Sequence, residues 1–445
     1  MGNIKIKSTA YPWYVVFVLL LAYTVSFIDR QILTLLVGPI KRDLGISDTQ
    51  MSLLIGLSFA LFYTVMGMPI GRIVDSHKRT RIITIGIVVW SLMTAGCGLA
   101  RYYWQLFIMR IGVGVGEAAL SPAAFSIIAD YFPRSRLGLA NSIYNSGAYV
   151  GGAIAMMVGG LAVSSLDGMG TIKLPVMGEI FSWQLVFLVV GLPGFLVALL
   201  VKTVKEPPRS GHLAEHANGI PLSQVLSHLA PHKSTLFFLC IGFALSALVG
   251  YSLTAWIPTF LIRIHQVPVA DVGLYVGLIL VLGGIGGVVL GGLLSDWMVA
   301  RGRSDARMRT GLLAMSLALV PVISFPLVED LTLCLVLMAM AITMLTFPMA
   351  CGPAGLQEIF PNQLRGQITA FYMLVVNLIG MACGPTLVAL LTDYLFRDEM
   401  ALGKSLAVCG GAAVAIAWLM FVLGMKPYRA SVEYFGKTVG LNASV

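Results

Sequence analysis

Apolar runs of about 20 residues recur along the whole of this 445-residue chain, and they limit its fold more than any other feature does. Each run is long enough to cross a hydrocarbon core of roughly 30 Å as a helix. Only 11% of the residues are charged, whereas a soluble domain carries about 25%. The chain is therefore predicted to be an integral, multi-pass membrane protein.

Twelve spans are predicted, near residues 12–39, 50–71, 82–100, 104–130, 138–165, 183–204, 234–262, 271–295, 310–328, 331–357, 366–392 and 403–425. No small-residue cleavage site follows the first span, which favours a retained helix over a signal peptide. The predicted domains are an N-terminal six-helix bundle (1–204), a cytoplasmic linker (205–233), a C-terminal six-helix bundle (234–425) and a cytoplasmic tail (426–445).

The net charge of +9 comes from clusters between the spans, so nucleic acid is not an expected partner. Most Lys and Arg residues lie in the set of loops that includes both termini, and the positive-inside rule places that set in the cytoplasm. The expected location is the inner (plasma) membrane. The six histidines lie in loops or at a span edge, without an HExxH or GxSxG motif. We therefore predict no enzyme activity, no cofactor and no metal site.

The two halves of the chain share residues at one constant offset, which aligns Asp130, Phe132, Pro133, Gly138, Tyr144 and Gly152 with Glu358, Phe360, Pro361, Gly366, Tyr372 and Gly380. A Gly-x-x-x-Asp pattern also follows both the second and the eighth span, at Gly71 and Gly292. Paired six-helix repeats are typical of major facilitator transporters, which bind substrate between the halves. The predicted fold is all-α, with twelve transmembrane helices in two six-helix bundles around a central cavity.

Three stretches resemble known families. The loop from Gly71 to Arg81, GRIVDSHKRTR, resembles the major facilitator signature, although Ser76 and Lys78 stand where that family usually has Arg and Gly. FIDR at 27–30 and RIGVGVGEA at 110–118 resemble the Spinster family. Eukaryotic Spinster proteins are associated with lysophospholipids and sphingolipids, so the resemblance implies an amphipathic, lipid-like cargo.

Four ionisable residues lie well inside predicted spans: Asp29, Arg30, Arg110 and Glu117. A charge at the centre of a membrane helix costs roughly 2.5 to 3.5 kcal/mol, so these side chains are expected to face a cavity. Arg110 and Glu117 are two turns apart on one side of a helix, and we expect them to pair. We predict that Asp29 and Glu117 couple transport to protons, while Arg30 and Arg110 form a cavity charge network or contact the cargo head group. A static network that only fastens two helices is the alternative.

The second half has no midspan charge. Its predicted cavity wall consists of Tyr251, Trp256, Tyr372 and Asn377, although ordinary packing is the alternative for Tyr251 and Trp256. A cytoplasmic gate is predicted from Gly71, Asp75, Arg79, Arg81, Asp130 and Asp296. In that gate Asp75 and Asp296 interact with helix N-termini of the opposite half, and Arg79 and Arg81 pair with Asp130. For the two arginines, solvated charges that only satisfy the positive-inside rule are the alternative.

The predicted function is secondary active transport by alternating access, coupled to protons, of a lipid-like molecule or an organic anion. The expected partners are this cargo, protons and membrane lipids, with the chain acting as a monomer. A multidrug/proton antiporter is one alternative, but its expected GxxxGP run in helix five is incomplete because Gly147-x-x-x-Gly151 lacks the proline. A non-transporting membrane sensor is another, and it would move no cargo in liposomes.

Overall fold

The structure is a computed structural model that describes residues 10–166, 171–174, 178–208, 229–360 and 362–442. Within these ranges, twelve helices are long and apolar enough to cross a membrane. The predicted number of spans is therefore confirmed. We number them span 1 to span 12 and call the end of each unit that joins the 205–233 linker its linker end.

The first unit comprises Met1–Gly211 and Val267–Gly277. Its first six spans are built from helices at Ala10–Leu35 (span 1), Asp48–Ser52, Leu53–Leu57 and Ser58–Ser76 (span 2), Arg79–Cys97 (span 3), Tyr103–Glu117 and Leu120–Tyr131 (span 4), Arg134–Leu166 (span 5), and Ser182–Lys202 (span 6). A short helix, Val37–Leu44, lies between spans 1 and 2 and ends at Gly45, whose φ of 62° is the left-handed conformation that glycine adopts without strain.

Close approach between spans 2, 3 and 4 positions the candidate site of this unit. A Cβ atom on Gly114 would lie 2.7 Å from the carbonyl oxygen of Phe59, and one on Gly116 would lie 2.7 Å from the backbone nitrogen of Trp90. Side chains at these two positions would push the helices apart. The glycines therefore bring the polar face of span 4 against its neighbours.

The first unit also contains a β-hairpin that the all-α prediction lacks. Strands β1 (Thr171–Leu174) and β2 (Gly178–Phe181) pair antiparallel, with Lys173 opposite Glu179. Each strand has only four residues and lies between two long spans, so its alternation of polar and apolar residues is too short to be recognised in the sequence. The hairpin adds to the predicted fold without changing its class.

The second unit comprises His212–Gln266 and Leu278–Val445. Its helices are Ala230–His232 and Lys233–Arg263 (span 7), Leu280–Ile285 and Gly286–Ala300 (the later part of span 8), Ala306–Ser324 and Phe325–Leu327 (span 9), Leu331–Thr346 and Cys351–Ile359 (span 10), Asn362–Val376, Asn377–Cys383, Gly384–Leu390 and Leu391–Phe396 (span 11), and Glu399–Ala401 and Leu402–Asn442 (span 12). Span 8 begins with the helix Val269–Ile279, which belongs to the first unit as far as Gly277. The division between the units falls inside the predicted linker, except that Val267–Gly277 groups with the first unit.

Span 12 differs most from its predicted extent. The predicted end is at 425, but the helix continues through Pro427 to Asn442. The next turn is held by side-chain contacts: Tyr428 donates to Glu358, and Arg429 donates to Asp305. These contacts stabilise the helix beyond the proline.

Candidate functional site

The four predicted midspan charges come together inside the first unit. We call Asp29, Arg30, Arg110 and Glu117 the Asp29 cluster. Asp29, Arg110 and Glu117 are each 1% exposed, whereas the Arg30 side chain is 13% exposed. Spans 1 and 4 each contribute one acid and one base, and Arg30 is the member that reaches toward the surface of the unit.

Glu117 pairs with Arg30. The prediction that Glu117 pairs with Arg110 is therefore wrong. The Nε atom of Arg30 donates to Oε2 of Glu117 at 2.6 Å, and an Nη2 contact to the same oxygen measures 2.5 Å. Arg110 and Glu117 share a side of span 4, but seven residues separate them by about 10 Å along the helix axis. A partner from a neighbouring helix can approach much more closely.

Aromatic rings surround the Arg30 guanidinium. Its central carbon lies 4.5 Å from the ring centroid of Phe59, 4.7 Å from that of Phe27 and 4.9 Å from that of Tyr63. Such distances are within the range of cation–π attraction, which is stronger where water is excluded. The rings fix the arginine side chain beside Glu117 and supply apolar surface around it.

Asp29 and the adjacent Arg30 have different partners. This agrees with the prediction, because neighbouring residues on a helix point about 100° apart. Its Oδ2 atom accepts a hydrogen bond from the Thr94 hydroxyl of span 3 at 3.0 Å. Its Oδ1 atom is buried and has no hydrogen-bond partner among the described residues. Among the described residues, Arg110 donates only a long bond, 3.5 Å, to the Asp29 backbone carbonyl. Thr94 was missed in the sequence, where a lone threonine in an apolar span gives no signal.

A second polar centre lies at the linker end of the first unit, around Arg79. As predicted, Arg79 pairs with Asp130. Its Nε atom also donates to Glu206 at 2.7 Å, and Nη1 donates to the hydroxyl of Ser126 at 2.9 Å. Although Arg81 was expected to share Asp130, it is exposed and forms no ion pair with a described residue. Residues two apart on a helix point in nearly opposite directions, so both cannot face span 4.

Glu206 is the functional residue that the sequence analysis missed at this end. It accepts hydrogen bonds from both the backbone N–H and the hydroxyl of Thr80, each at 3.0 Å. Burial raises the pKa of Glu206, but the hydrogen bonds from Thr80 and Arg79 lower it by more, so the pKa lies below its ordinary value. A carboxylate placed by the first residues after span 6 thus attaches the linker to span 3.

The linker end of the second unit repeats this arrangement. Arg307 donates to Glu358 at 2.9 Å and to Asp296 at 2.8 Å. The offset that aligns Asp130 with Glu358 also aligns Arg79 with Arg307, so the repeat contained the signal for this residue. Burial raises the pKa of Asp305, but hydrogen bonds from Arg309 and Arg429 lower it by more, to below its ordinary value.

Comparison with known proteins decides the family. Residues 19–385 match the Major Facilitator Superfamily. The chain belongs to this superfamily. It is an integral, multi-pass membrane transporter, and its predicted resemblance to Spinster proteins is confirmed by solved structures.

Two of these structures are of a bacterial homologue of the human lysosomal transporter Spinster. The structure of its inward-facing, unoccupied conformation aligns with a TM-score of 0.77 and 28% sequence identity. The alignment covers 97% of this chain and 98% of the homologue. A curated relative from Mycolicibacterium smegmatis, an MFS-type efflux pump, is 27% identical over 94% of both chains. The hexuronate transporter of Bacillus subtilis is 27% identical and covers 94% of this chain and 97% of its own.

The predicted cavity wall of this facilitator divides into packed and partly exposed residues. Trp256 is fully buried and donates its indole N–H to the carbonyl oxygen of Pro385 at 2.9 Å. Tyr372 is 4% exposed, and its hydroxyl occupies the space beside Gly352 where a Cβ atom would lie. These contacts account for both residues without cargo. Tyr251 and Asn377 are partly exposed, and their cavity role stays a prediction.

The remaining gate residues are less constrained. Gly71 has open space where a Cβ atom would lie, so no close contact among described residues requires glycine there. The side chain of Asp75 lies outside the described residues. Asp296 was expected to contact a helix N-terminus, and the contact found within its own unit is the ion pair with Arg307.

Proposed function

We propose that this facilitator is a proton-coupled secondary transporter that works by alternating access, with Asp29 and Glu117 as the proton-coupling carboxyl groups. The observation that carries the proposal is the buried Asp29 carboxyl, one of whose oxygens has no hydrogen-bond partner among the described residues. An ionisable residue at membrane depth is a functional candidate by default, because exposure to lipid or isolation from partners is costly. A free carboxylate oxygen accepts a proton without breaking an existing hydrogen bond.

The charge balance of the Asp29 cluster supports coupling. Two carboxylates and two guanidinium groups have no net charge, and one added proton leaves +1. An anionic cargo head that approaches Arg30 competes with Glu117 for the same guanidinium. Protonation of Glu117 releases Arg30 to that head group, so cargo binding and proton binding favour each other.

The cargo that this arrangement favours has an anionic head and an apolar tail. The Arg30 guanidinium forms paired hydrogen bonds with a carboxylate or phosphate, and the rings of Phe27, Phe59 and Tyr63 supply apolar contact beside it. A lysophospholipid, a sphingolipid-like molecule or an organic anion fits this description. The similarity to a hexuronate transporter supports an anionic group. The similarity to an efflux pump supports a multidrug/proton antiporter as the second candidate.

We further propose that both termini lie in the cytoplasm, with the chain acting as a monomer in the inner membrane. The excess of Lys and Arg in the loops on the side of the termini supports this orientation. Single cysteines at Lys173 and Lys205 test it, because an impermeant thiol reagent added outside intact cells should label the first position only. Labelling of both positions would contradict the orientation.

Flux into liposomes tests the function. Purified protein is given lysolipids, sphingoid phosphates, sugar acids and cationic drugs, with and without a pH gradient. We expect gradient-driven accumulation of an anionic member and its loss in Asp29→Asn, which keeps the shape of the side chain but cannot exchange the proton. Asp271→Asn, at an exposed acid, is the control. Parental pH dependence in a folded Asp29→Asn protein would contradict the proton role, and accumulation of cations alone would favour the second candidate.

A further inference from the structure

The hydroxyl group of Thr94 is used differently from those of most threonines in the membrane helices. Threonine in a helix commonly donates to the carbonyl oxygen one turn earlier in its own helix, as Thr84, Thr254 and Thr310 do. Thr94 donates instead across the helix interface to Oδ2 of Asp29. Both side chains are 1% exposed, so water does not compete for this single hydrogen.

We propose that Thr94 is a positioning residue for the proton-carrying carboxyl: it holds Oδ2 of Asp29 and leaves Oδ1 as the atom that takes the proton. The inference rests on the proposed function, because it assumes that Asp29 exchanges a proton. A carboxylate fixed at one oxygen keeps its other oxygen in a constant direction. The buried, unpartnered Oδ1 atom is the one that this arrangement presents.

The direction in which loss of the Thr94 hydroxyl changes the proton affinity of Asp29 follows from the hydrogen bonds that the Asp29 carboxyl accepts. Four other charged or titratable groups face it, namely Arg30 from span 1, Cys97 from span 3, and Arg110 and Glu117 from span 4. Among the described residues, only Thr94 donates a hydrogen bond to the Asp29 side chain. A donor to a carboxylate favours the ionised form. Its removal therefore makes protonation easier, so the carboxyl group takes its proton at a higher pH.

The pH profile of transport tests this role. Thr94→Val keeps the branched shape but removes the donor, and we expect the midpoint of the profile to move to higher pH by about one unit, a tenfold change in proton affinity. Thr94→Ser retains a hydroxyl and should restore the parental midpoint. Thr84→Val removes a hydroxyl that bonds its own helix in the same span, and its midpoint should equal that of the parent.

The outcomes separate the inference from the proposed function. If Asp29→Asn loses pH dependence while Thr94→Val keeps the parental midpoint, Thr94 has only a packing role and the inference is overturned. If Asp29→Asn keeps its pH dependence, the proton role of Asp29 fails first. Where Thr94→Val does not fold, Thr94→Ala is compared with Thr94→Ser, and equal midpoints for these two variants overturn the inference.

Discussion

The two units are alike at their linker ends and differ in the middle of the membrane. The repeat offset aligns Arg79 with Arg307 and Asp130 with Glu358, and both arginines bond their acidic partners. The same offset aligns three polar residues of the first unit with apolar ones, namely Thr94 with Val322, Arg110 with Met338, and Glu117 with Leu345. These three apolar residues are all buried.

This difference separates two requirements that a repeated fold places on its residues. Each six-helix unit needs charges that hold its helix ends together near water, and both units keep them. Buried midspan charges are costly in either unit, and the second unit has apolar packing at the aligned positions. Retention of the charges in one unit alone is therefore what a transport role predicts, while a purely structural role would be met equally well by Met, Leu and Val.

The largest effect on stability is expected at Glu117. Glu117 is the fully buried member of the pair, and Glu117→Gln leaves the guanidinium of Arg30, which is 13% exposed, without its carboxylate. Loss of one partner of a buried pair costs about 3 to 5 kcal/mol. The double variant with Arg30→Met removes the orphan charge and should recover most of the free energy of unfolding, but not transport. Equilibrium unfolding in detergent and flux in liposomes measure the two properties. Additive losses in the double variant would show that the pair does not act as a unit.

The linker ends should respond unequally, in spite of their similarity. The side chain of Arg79 is 1% exposed and that of Arg307 is 14% exposed, while its partner Asp296 is 73% exposed. Once the arginine is removed, water can hydrate the acids around Arg307 more readily than those around Arg79. We therefore expect Arg79→Gln to lower the free energy of unfolding by about 3 kcal/mol and Arg307→Gln to lower it by about 1 kcal/mol. Thermal unfolding measures both. Equal losses would make burial irrelevant to these networks.

A smaller, pH-dependent effect is expected at Glu206. Because its folded pKa lies below the ordinary value, its contribution is complete above the unfolded pKa of about 4.3 and is lost as the pH falls through the folded pKa. Glu206→Gln should lower stability by on the order of 1 kcal/mol at pH 7, and the gap to the parent should close in acid. Glu179→Gln, in an exposed pair with Lys173, is the control and should show no gap at either pH.

The smallest effect concerns the Gly-x-x-x-Asp repeats. Loss of one interaction at a helix terminus costs about 0.3 to 1 kcal/mol. Asp75→Asn should therefore increase the population of the inward-facing state severalfold relative to the outward-facing state. The accessibility of engineered cysteines to thiol reagents on the cytoplasmic side measures this shift. Asp296→Asn is the variant at the corresponding position of the second unit, where it removes the ion pair with Arg307. Unchanged accessibility in Asp75→Asn would remove its gating role.

Much of the fold was predictable, because a membrane-spanning helix needs an apolar run of about 20 residues and such runs are rare in soluble proteins. The ends of spans were harder: span 12 continues through Pro427 because Tyr428 and Arg429 find acidic partners that are distant in sequence. The β-hairpin was missed for a similar reason. Its four-residue strands are too short to form a pattern beside two long helices.

The members of the Asp29 cluster were predictable because charge is rare inside a membrane span, but their pairing was not. Spacing within span 4 indicates which side Arg110 and Glu117 share, yet the distance to Arg30 depends on how spans 1 and 4 pack. Thr94 and Glu206 were missed because a hydroxyl in a span and an acid in a loop are ordinary residues in sequence. Arg307, by contrast, could have been found by applying the repeat offset to Arg79.

The helix that ends at Asn442 has a practical consequence for imaging. Its 41 residues form a rod of about 60 Å, and side chains of the second unit hold it beyond Pro427. A rigid helical domain fused in register after Asn442 would inherit the direction of span 12 instead of tumbling on a flexible tether. The chain thus offers an attachment point for an alignment marker in electron microscopy. A fusion at 425 would discard the contacts of Tyr428 and Arg429 and the hydrogen bonds that Ser431 forms with His232 and Thr235.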